Sequence, residues 1–211
     1  MRELYLIRHG ESLANLERRF DATPPGAPLS ARGEEQAQRC AQWLASRGVS
    51  PSVVYASPFR RTVETATPFA AKSSARLVTH EALREVRVGA WDGIRSQALR
   101  EDESYLRWRD QPEIPPPGGE SLEEVWLRLQ ACLRDLCAQA PPGEALVLFT
   151  HQHPLRAALW HLGALRDEGG GLVPVPNTAI LHLQGDLDAL HIVGLDRSID
   201  AATGGAQRAA I

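Results

Sequence analysis

Two histidines stand directly after apolar runs, beside residues that bind anions. His9 follows LYLI within the stretch RHG, and His151 follows ALVLF within THQH. A neutral imidazole can attack phosphorus. A neighbouring arginine such as Arg8 can bind phosphate oxygens through two parallel hydrogen bonds. The pairing of histidine with arginine at these positions therefore indicates phosphoryl chemistry.

A third apolar run, SVVYA, ends at SPFRR and carries Arg60 and Arg61. Ligands of open α/β sheets bind beyond the carboxyl ends of the strands, so parallel neighbouring strands would bring both histidines and an arginine into one crevice. Gly10 would let an anion approach the backbone, and free N–H groups at the start of the next helix would favour it. Phosphoryl transfer also needs a proton donor, for which Glu85 in LREVRVGAWDG is the candidate.

Each of these motifs has a simpler interpretation when it is taken alone. RHG is typical of a surface turn, and the two arginines are typical of a solvated helix face. The pair His151 and His153 suits zinc, but no third ligand stands in a close, helix-spaced motif. The remaining histidines are typical of surface or packing positions (His80, His161, His182, His191). The tryptophans are typical of core positions, although two of them could line a pocket (Trp43, Trp126, Trp160; Trp91, Trp108).

The segments around the motifs predict strands that alternate with helices. LYLI, SVVYA, ARLVTH and ALVLF are typical strands, and TAILHLQ with LDALHIVGL predicts a hairpin. One helix is expected between an N-cap at Ser30 and a stop at Gly48, and another is expected to begin with Ser57 as its cap and Pro58 in its first turn. Further helices are expected over residues 96–109, after a capping box at Ser121 and Glu124, and over PLRAALWHLG.

This alternation predicts a three-layer α/β/α sandwich around a mostly parallel central sheet. Residues 1–196 are expected to form one domain. Residues 86–119, rich in proline and tryptophan, are expected to form a helical and loop insertion that caps the site. Residues 197–211 are expected to be a flexible tail.

Composition excludes several classes of function. The chain has 211 residues and a net charge of −3, which argues against a nucleic-acid-binding protein. No apolar run is long enough to span a membrane or to form a signal peptide, so a cytoplasmic protein is expected. Three cysteines do not make a disulfide framework and are expected to pack in the core (Cys40, Cys132, Cys137).

Taken together and in order, the motifs resemble those of the histidine phosphatase superfamily, whose fold is that of the phosphoglycerate mutases. LIRHGESLANLERR is similar to the family signature, SPFRRTVETA to its SP-x-x-R pattern, and VLFTHQHPLRA to its second-histidine segment. LREVRVGAWDG and PPPGGES match the family's acidic region and a later motif. The resemblance extends from about residue 3 to residue 195, and it selects Arg61 rather than Arg60.

The resemblance implies a mechanism without metal or cofactor. His9 would attack phosphorus to form a phosphohistidine, and Glu85 would serve as general acid and then as general base. Phosphate oxygens would be bound by three basic residues, and one asparagine would add a hydrogen bond (Arg8, Arg61 and His151; Asn15). The substrate would be a small phosphorylated metabolite, and the enzyme a phosphoric monoester hydrolase of the histidine acid phosphatase type.

The chain departs from the family pattern after the second histidine. A small residue, often glycine, is usual there, whereas this chain has Gln152 and then His153. The side chain of Gln152 could narrow the site or bind substrate, and its backbone N–H would still face phosphate. The pattern assigns no role to His153.

Two alternatives and the substrate stay open at this stage. A cofactor-dependent phosphoglycerate mutase is the first alternative, although VRVGAWDG is closer to phosphatase members, and a non-catalytic phospho-ligand binding module is the second. Sugar phosphates, phosphoglycerates, α-ribazole phosphate and phosphoproteins are all candidate substrates, and a homodimer is one option for the assembly. The residues expected to contact substrate lie before and within the insertion (Arg19, Phe20, Arg87, Trp91, Trp108).

Overall fold

The computed structural model describes residues 2–201, and within this range the strands form one sheet. Their order across the sheet is β3-β2-β4-β1-β5-β6. The first four are parallel, while β5 is antiparallel to both β1 and β6. This mostly parallel sheet confirms the predicted class. The strand bounds are β1 Arg2–Arg8, β2 Val53–Ala56, β3 Arg76–Thr79, β4 Leu146–Thr150, β5 Ile180–Gly185 and β6 His191–Asp196.

Helices cover both faces of the sheet, and successive residues of β1 show this directly. Leu4 and Leu6 are buried in the core formed with α5 and α6, whereas Tyr5 and Ile7 are buried in the core formed with α2 and α3. The three-layer prediction is therefore confirmed. The helices are α1 Leu13–Leu16, α2 Ala31–Ser46, α3 Arg60–Ser73, α4 Glu103–Asp110, α5 Leu122–Gln139, α6 Gln152–His161 and α7 Ser198–Ala201.

Local capping signals at two helices are confirmed. The hydroxyl of Ser30 accepts the N–H of Gly33 at the start of α2, and Gly48 adopts the left-handed φ of +71° just after its end. The capping box of Ser121 and Glu124 is present at the start of α5.

The prediction for the start of α3 was wrong. The helix begins at Arg60 after Phe59, whose side chain forms no capping hydrogen bond. Ser57 does not cap it because its hydroxyl lies 2.8 Å from Nε2 of His151, and its carbonyl accepts a hydrogen bond from Thr62. The segment SPF is thus a connection that brings the strand end to the site.

Two other helix boundaries also differ from the predictions. The helix expected over 96–109 is interrupted: a 3₁₀ turn spans Ser96–Leu99, and α4 starts anew because Asp102 accepts the N–H groups of Ser104 and Tyr105. Helix α6 begins at Gln152, two residues before Pro154, because proline fits within a first helical turn.

The end of the described chain forms the predicted hairpin, with β5 and β6 paired antiparallel. From the segment expected as a tail, residues 198–201 form one helical turn whose Ile199 is buried against the α2–α3 core. Residues 202–211 lie outside the described range. No helix within residues 2–201 is long and apolar enough to cross a membrane.

Candidate active site

The sheet order explains how distant motifs meet. Strand β4 lies between β1 and β2, and all three run in the same direction. Their carboxyl ends therefore open at one edge, where His9, His151 and Arg61 lie close together. The rings of His9 and His151 are 5.2 Å apart between centroids and meet edge to face.

The turn after β1 is shaped by packing between two glycines. A Cβ on Gly10 would lie 2.7 Å from the carbonyl oxygen of Gly33, and one on Gly33 would lie 2.0 Å from that of Glu11. Gly10 is thus needed for contact with α2, and its predicted approach to an anion stays a prediction.

The predicted anion site at the start of the following helix stays a prediction, and the N–H groups of the turn that leads into that helix already have acceptors. The N–H of Gly10 donates to Thr65 and that of Glu11 to Gln36. The N–H of Ser12 donates to Oδ1 of Asn15.

The imidazole of His9 is held in one tautomer. Its Nδ1 lies 2.7 Å from the carbonyl oxygen of Gly10 and donates to it. Its Nε2 accepts the Nε–H of Arg61 at 3.1 Å and therefore carries the lone pair. Burial lowers the pKa of His9 well below its usual value, and the cations Arg61 and Arg8 lower it further. His9 is therefore a buried, neutral imidazole at neutral pH.

Arg61, in the first turn of α3, joins several parts of the site. Besides donating to His9, its guanidinium donates to the Asp21 carboxylate at 2.7 Å and to the Asp21 carbonyl at 2.9 Å. It also lies 3.1 Å from Nδ1 of His151. The Asp21 contact, which sequence reasoning missed, balances the charge of a side chain only 4% exposed.

His151 lies behind Arg61 and is fully buried. Because Nδ1 accepts from Arg61, Nε2 carries the proton and donates to Ser57 Oγ at 2.8 Å. Burial lowers the pKa of His151 well below its usual value, and Arg61 adds to the effect. His151 is not among the residues that line the cavity, so its contact with the site runs through Arg61.

Glu85 occupies the amino-terminal end of α6. Its carboxylate accepts the N–H groups of Gln152 at 3.2 Å and His153 at 3.1 Å, and that of Val86 at 2.9 Å. Burial alone raises the pKa of Glu85, but the facing His153 and these hydrogen bonds outweigh it, so the pKa lies well below its usual value. In this state Glu85 is a carboxylate that can accept a proton.

A cavity of about 320 Å³ opens onto these groups, a size within the usual range for small-molecule sites. Of the predicted catalytic residues it is lined by Arg8, His9, Arg61 and Glu85, and of the predicted contacts by Arg19, Phe20 and Trp108. Arg87 and Trp91 do not line it. Arg87 is largely exposed and pairs with Glu120, and Trp91 is buried against other aromatic rings.

The predicted binding residues Asn15 and Gln152 both line the cavity, but their contacts differ from those expected. The N–H of Gln152 donates to Glu85 instead of facing the cavity, and its side chain reaches the carbonyl of Val175 at 3.4 Å. The Oδ1 of Asn15 accepts the backbone N–H of Ser12. The amide Nδ2 of Asn15 is therefore the group that can donate to a ligand.

Asn177, which no motif indicated, supports the same turn. Its Nδ2 donates to the carbonyl of His9 at 3.1 Å and to Oδ1 of Asn15 at 3.3 Å. It lies in the PVPN segment before β5, where the sequence offers only a turn signal. The pairing of β5 with β1 brings Asn177 next to His9, and the sequence alone does not show this pairing.

Among the described residues, no group of three or more histidine, cysteine, aspartate or glutamate side chains is arranged to hold a metal ion. His151 and His153, which the sequence offered as a zinc pair, face different partners. The first contacts Arg61 and Ser57, and the second contacts Glu85 and Trp108.

Comparison with known proteins shows which family this chain belongs to. The model of the histidine phosphatase superfamily (branch 1) matches residues 4–197, which covers nearly the whole chain. The chain belongs to the histidine phosphatase superfamily. This confirms the resemblance inferred from the ordered motifs.

Relatives within the superfamily carry names of both phosphatases and mutases. A 2,3-bisphosphoglycerate-dependent phosphoglycerate mutase of Methylorubrum extorquens (strain PA1) is 27% identical over 94% of this chain and 98% of its own length. Phosphoserine phosphatase 1 of Hydrogenobacter thermophilus is 31% identical over 74% of each chain. A mycobacterial glucosyl-3-phosphoglycerate phosphatase structure has a TM-score of 0.80 and 25% identity, covering 92% of this chain and 98% of its own.

Proposed function

We propose that this superfamily member is a phosphomonoesterase that acts on a small phosphorylated metabolite through a phosphohistidine on His9, without a metal. The observation that carries the proposal is the state of His9. Its Nδ1–H is fixed on the carbonyl of Gly10, and the lone pair of Nε2 borders a cavity that also contains Arg8 and Arg61. A neutral, oriented imidazole among cations is suited to attack an anionic phosphoryl group.

The two half-reactions use the same groups. In the first, Nε2 of His9 bonds to phosphorus, the bond to the ester oxygen breaks, and Glu85 delivers a proton to that oxygen. In the second, water attacks the phosphohistidine, the P–N bond breaks, and Glu85 takes the proton from water. Arg8 and Arg61 stabilise the negative charge on the phosphoryl oxygens, and His151 keeps Arg61 in place. Each such donor typically contributes about 3 kcal/mol to transition-state stabilisation.

The experiment compares hydrolysis of p-nitrophenyl phosphate by the native chain and by His9→Ala, with EDTA present. A matched control is His191→Ala, because His191 is an exposed histidine on the edge strand β6, which β5 separates from β1. We expect activity in EDTA for the native chain and the control and none for His9→Ala. Quenching in alkali should retain the label from a radioactive substrate on the native chain, since phosphohistidine is stable to alkali and labile to acid. Loss of native activity in EDTA would contradict the proposal.

A phosphoglycerate mutase is a second candidate function, favoured by the 27% identical relative that spans almost the whole chain. A mutase uses the same phosphohistidine but returns the phosphoryl group to a glycerate hydroxyl instead of to water. The two are separated by incubating the protein with 3-phosphoglycerate and a trace of 2,3-bisphosphoglycerate. Release of inorganic phosphate supports the phosphatase, whereas formation of 2-phosphoglycerate without phosphate release supports the mutase.

A further inference from the structure

His153 is a buried histidine that the mechanism above does not use. It lines the cavity but is only 4% exposed, and neither ring nitrogen makes a hydrogen bond within the described residues. Leaving buried polar groups unsatisfied costs free energy, so such a residue in a cavity wall calls for a functional explanation.

The ring of His153 is fixed between two groups. On one side its Nδ1 lies 3.4 Å from Oε1 of Glu85, slightly beyond good hydrogen-bonding distance. On the other side it stacks on Trp108 of α4, with centroids 4.9 Å apart and planes inclined by 20°. The backbone N–H of His153 also donates to Glu85, so the histidine and the carboxylate are held together at two points. The charged groups that act on the ring are Glu85, Arg156 one turn further along α6, and Arg8 from β1.

We propose that His153 is a positioning residue for proton transfer, whose imidazole holds the proton that Glu85 passes to the leaving oxygen of an alkyl phosphate. This inference rests on the proposed phosphatase function. It answers a difficulty in that mechanism: three N–H groups stabilise Glu85 as a carboxylate, yet the first half-reaction needs it to give a proton.

The proton balance closes over one turnover. When the ester bond breaks, the leaving oxygen takes a proton from Glu85, and Glu85 takes one from Nδ1 of the protonated His153. When water attacks the phosphohistidine, its proton goes to Glu85 and back to His153. The charges agree with this pathway: burial lowers the pKa of His153, but the facing carboxylate of Glu85 acts in the opposite direction and favours a proton on the imidazole.

The test compares two substrates that differ in their need for an acid. p-Nitrophenolate leaves without a proton, whereas the alkoxide of O-phosphoserine must be protonated as it leaves. We expect His153→Phe, which keeps a ring on Trp108 but has no nitrogen, to lower kcat/KM about 100-fold for O-phosphoserine and less than threefold for p-nitrophenyl phosphate. We also expect kcat/KM of the native chain for O-phosphoserine to fall at high pH, and we expect this fall to be absent in the variant.

A matched control and a second variant exclude a purely structural effect. The control is His161→Phe, which changes another α6 histidine at the opposite end of the helix. His161 also stacks on a tryptophan, Trp126, with centroids 4.4 Å apart and planes inclined by 20°. We expect this variant to leave kcat/KM unchanged for both substrates. His153→Asn should show the same split between substrates and decides the question if His153→Phe does not fold. Equal losses on both substrates with an unchanged pH profile would overturn the proposal, as would no loss on either.

An experiment that does not depend on turnover separates this inference from the proposed function. The ¹⁵N shifts of the His153 ring, followed against pH in the native chain and in Glu85→Gln, report whether the two groups share a proton. We expect the pKa of His153 to fall when the carboxylate is removed. No difference between the two chains would refute the coupling even if the enzyme is a phosphatase. Conversely, if the pKa of His153 depends on Glu85 but the chain hydrolyses neither ester, the two side chains share a proton and the proposed phosphatase function is wrong.

Discussion

Arg61 donates its Nε–H to Nε2 of His9 across 3.1 Å, so the cation and the imidazole lone pair face each other directly in the free protein. The contact keeps His9 unprotonated, because a second proton on the ring would face a positive charge. It also means that a phosphoryl group entering the site must separate the two side chains or take over the hydrogen bond of Arg61. The same guanidinium is held from behind by Asp21 and His151.

This contact predicts a large effect for Arg61→Lys. A lysine has no fork of N–H groups, so it would lose simultaneous contact with His9, Asp21 and His151. We expect kcat/KM for p-nitrophenyl phosphate to fall by a factor of about 10²–10³, the usual effect of removing one oxyanion donor. The neighbouring Arg60→Lys is the control, because Arg60 is exposed and pairs with Glu64 one turn away, and its kcat/KM should stay within twofold of the native value. Comparable losses in both variants would contradict the assigned role of Arg61.

Asn177 provides a test of the turn itself. Asn177→Asp keeps the shape of the side chain but replaces the donor that holds the His9 carbonyl and Asn15 with an acceptor. The loss of these hydrogen bonds, worth about 1 kcal/mol each, should lower kcat about tenfold. Steady-state kinetics with p-nitrophenyl phosphate measure this, and an unchanged kcat would show that the turn does not need Asn177.

The contact between the RHG turn and α2 predicts a stability effect. Gly33→Ala would place a methyl group 2.0 Å from the carbonyl oxygen of Glu11, so the backbones of α2 and of the turn after β1 would have to move apart. We expect the free energy of unfolding in urea to fall by about 2–3 kcal/mol. Gly194→Ala on β6 is the control, since a Cβ there would meet no atom within 4 Å, and it should change stability by less than about 0.5 kcal/mol. An equal effect of both substitutions would argue against tight packing at Gly33.

The buried histidines predict how stability depends on pH. Burial lowers the pKa of His9, His151 and His153 below the ordinary value of 6.5. The unfolded chain therefore binds more protons below that pH than the folded chain, and the free energy of unfolding should decrease as pH falls from 7 to 5. Urea unfolding at the two pH values measures the decrease. It should be smaller in His151→Asn and unchanged in His191→Asn, whose histidine is exposed on β6; equal slopes in all three chains would refute the assignment.

The neutral state of His9 also predicts the pH range of the reaction. Because burial and two arginines lower the pKa of His9 well below 6.5, the imidazole stays unprotonated in mildly acidic solution. We expect the acid limb of kcat/KM for p-nitrophenyl phosphate to lie below pH 6.5, with activity at pH 6 close to that at pH 7. A limb centred at or above 6.5 would show that the ring is protonated like a histidine in water.

The sequence by itself determined the class of fold and the chemistry of the principal side chains. Apolar runs followed by RHG, SPFRR and THQH predicted parallel strands with reactive residues at their ends, and β1, β2 and β4 have that arrangement. The capping signals at Ser30 and Ser121 also functioned locally as expected. These features were predictable because they depend on the period of burial and on hydrogen bonds between residues three or four apart.

Only the tertiary structure decided how those side chains face one another. Asp21 pairs with Arg61 across 40 residues of chain, and Asn177 reaches His9 across 168, through contacts that no local pattern encodes. The folded chain also turned the N–H of Gln152 toward Glu85 and placed His153 between Glu85 and Trp108. Residue types set which proton or charge each group can carry, but the distances that fix its pKa and its partner arise only when separate elements pack together.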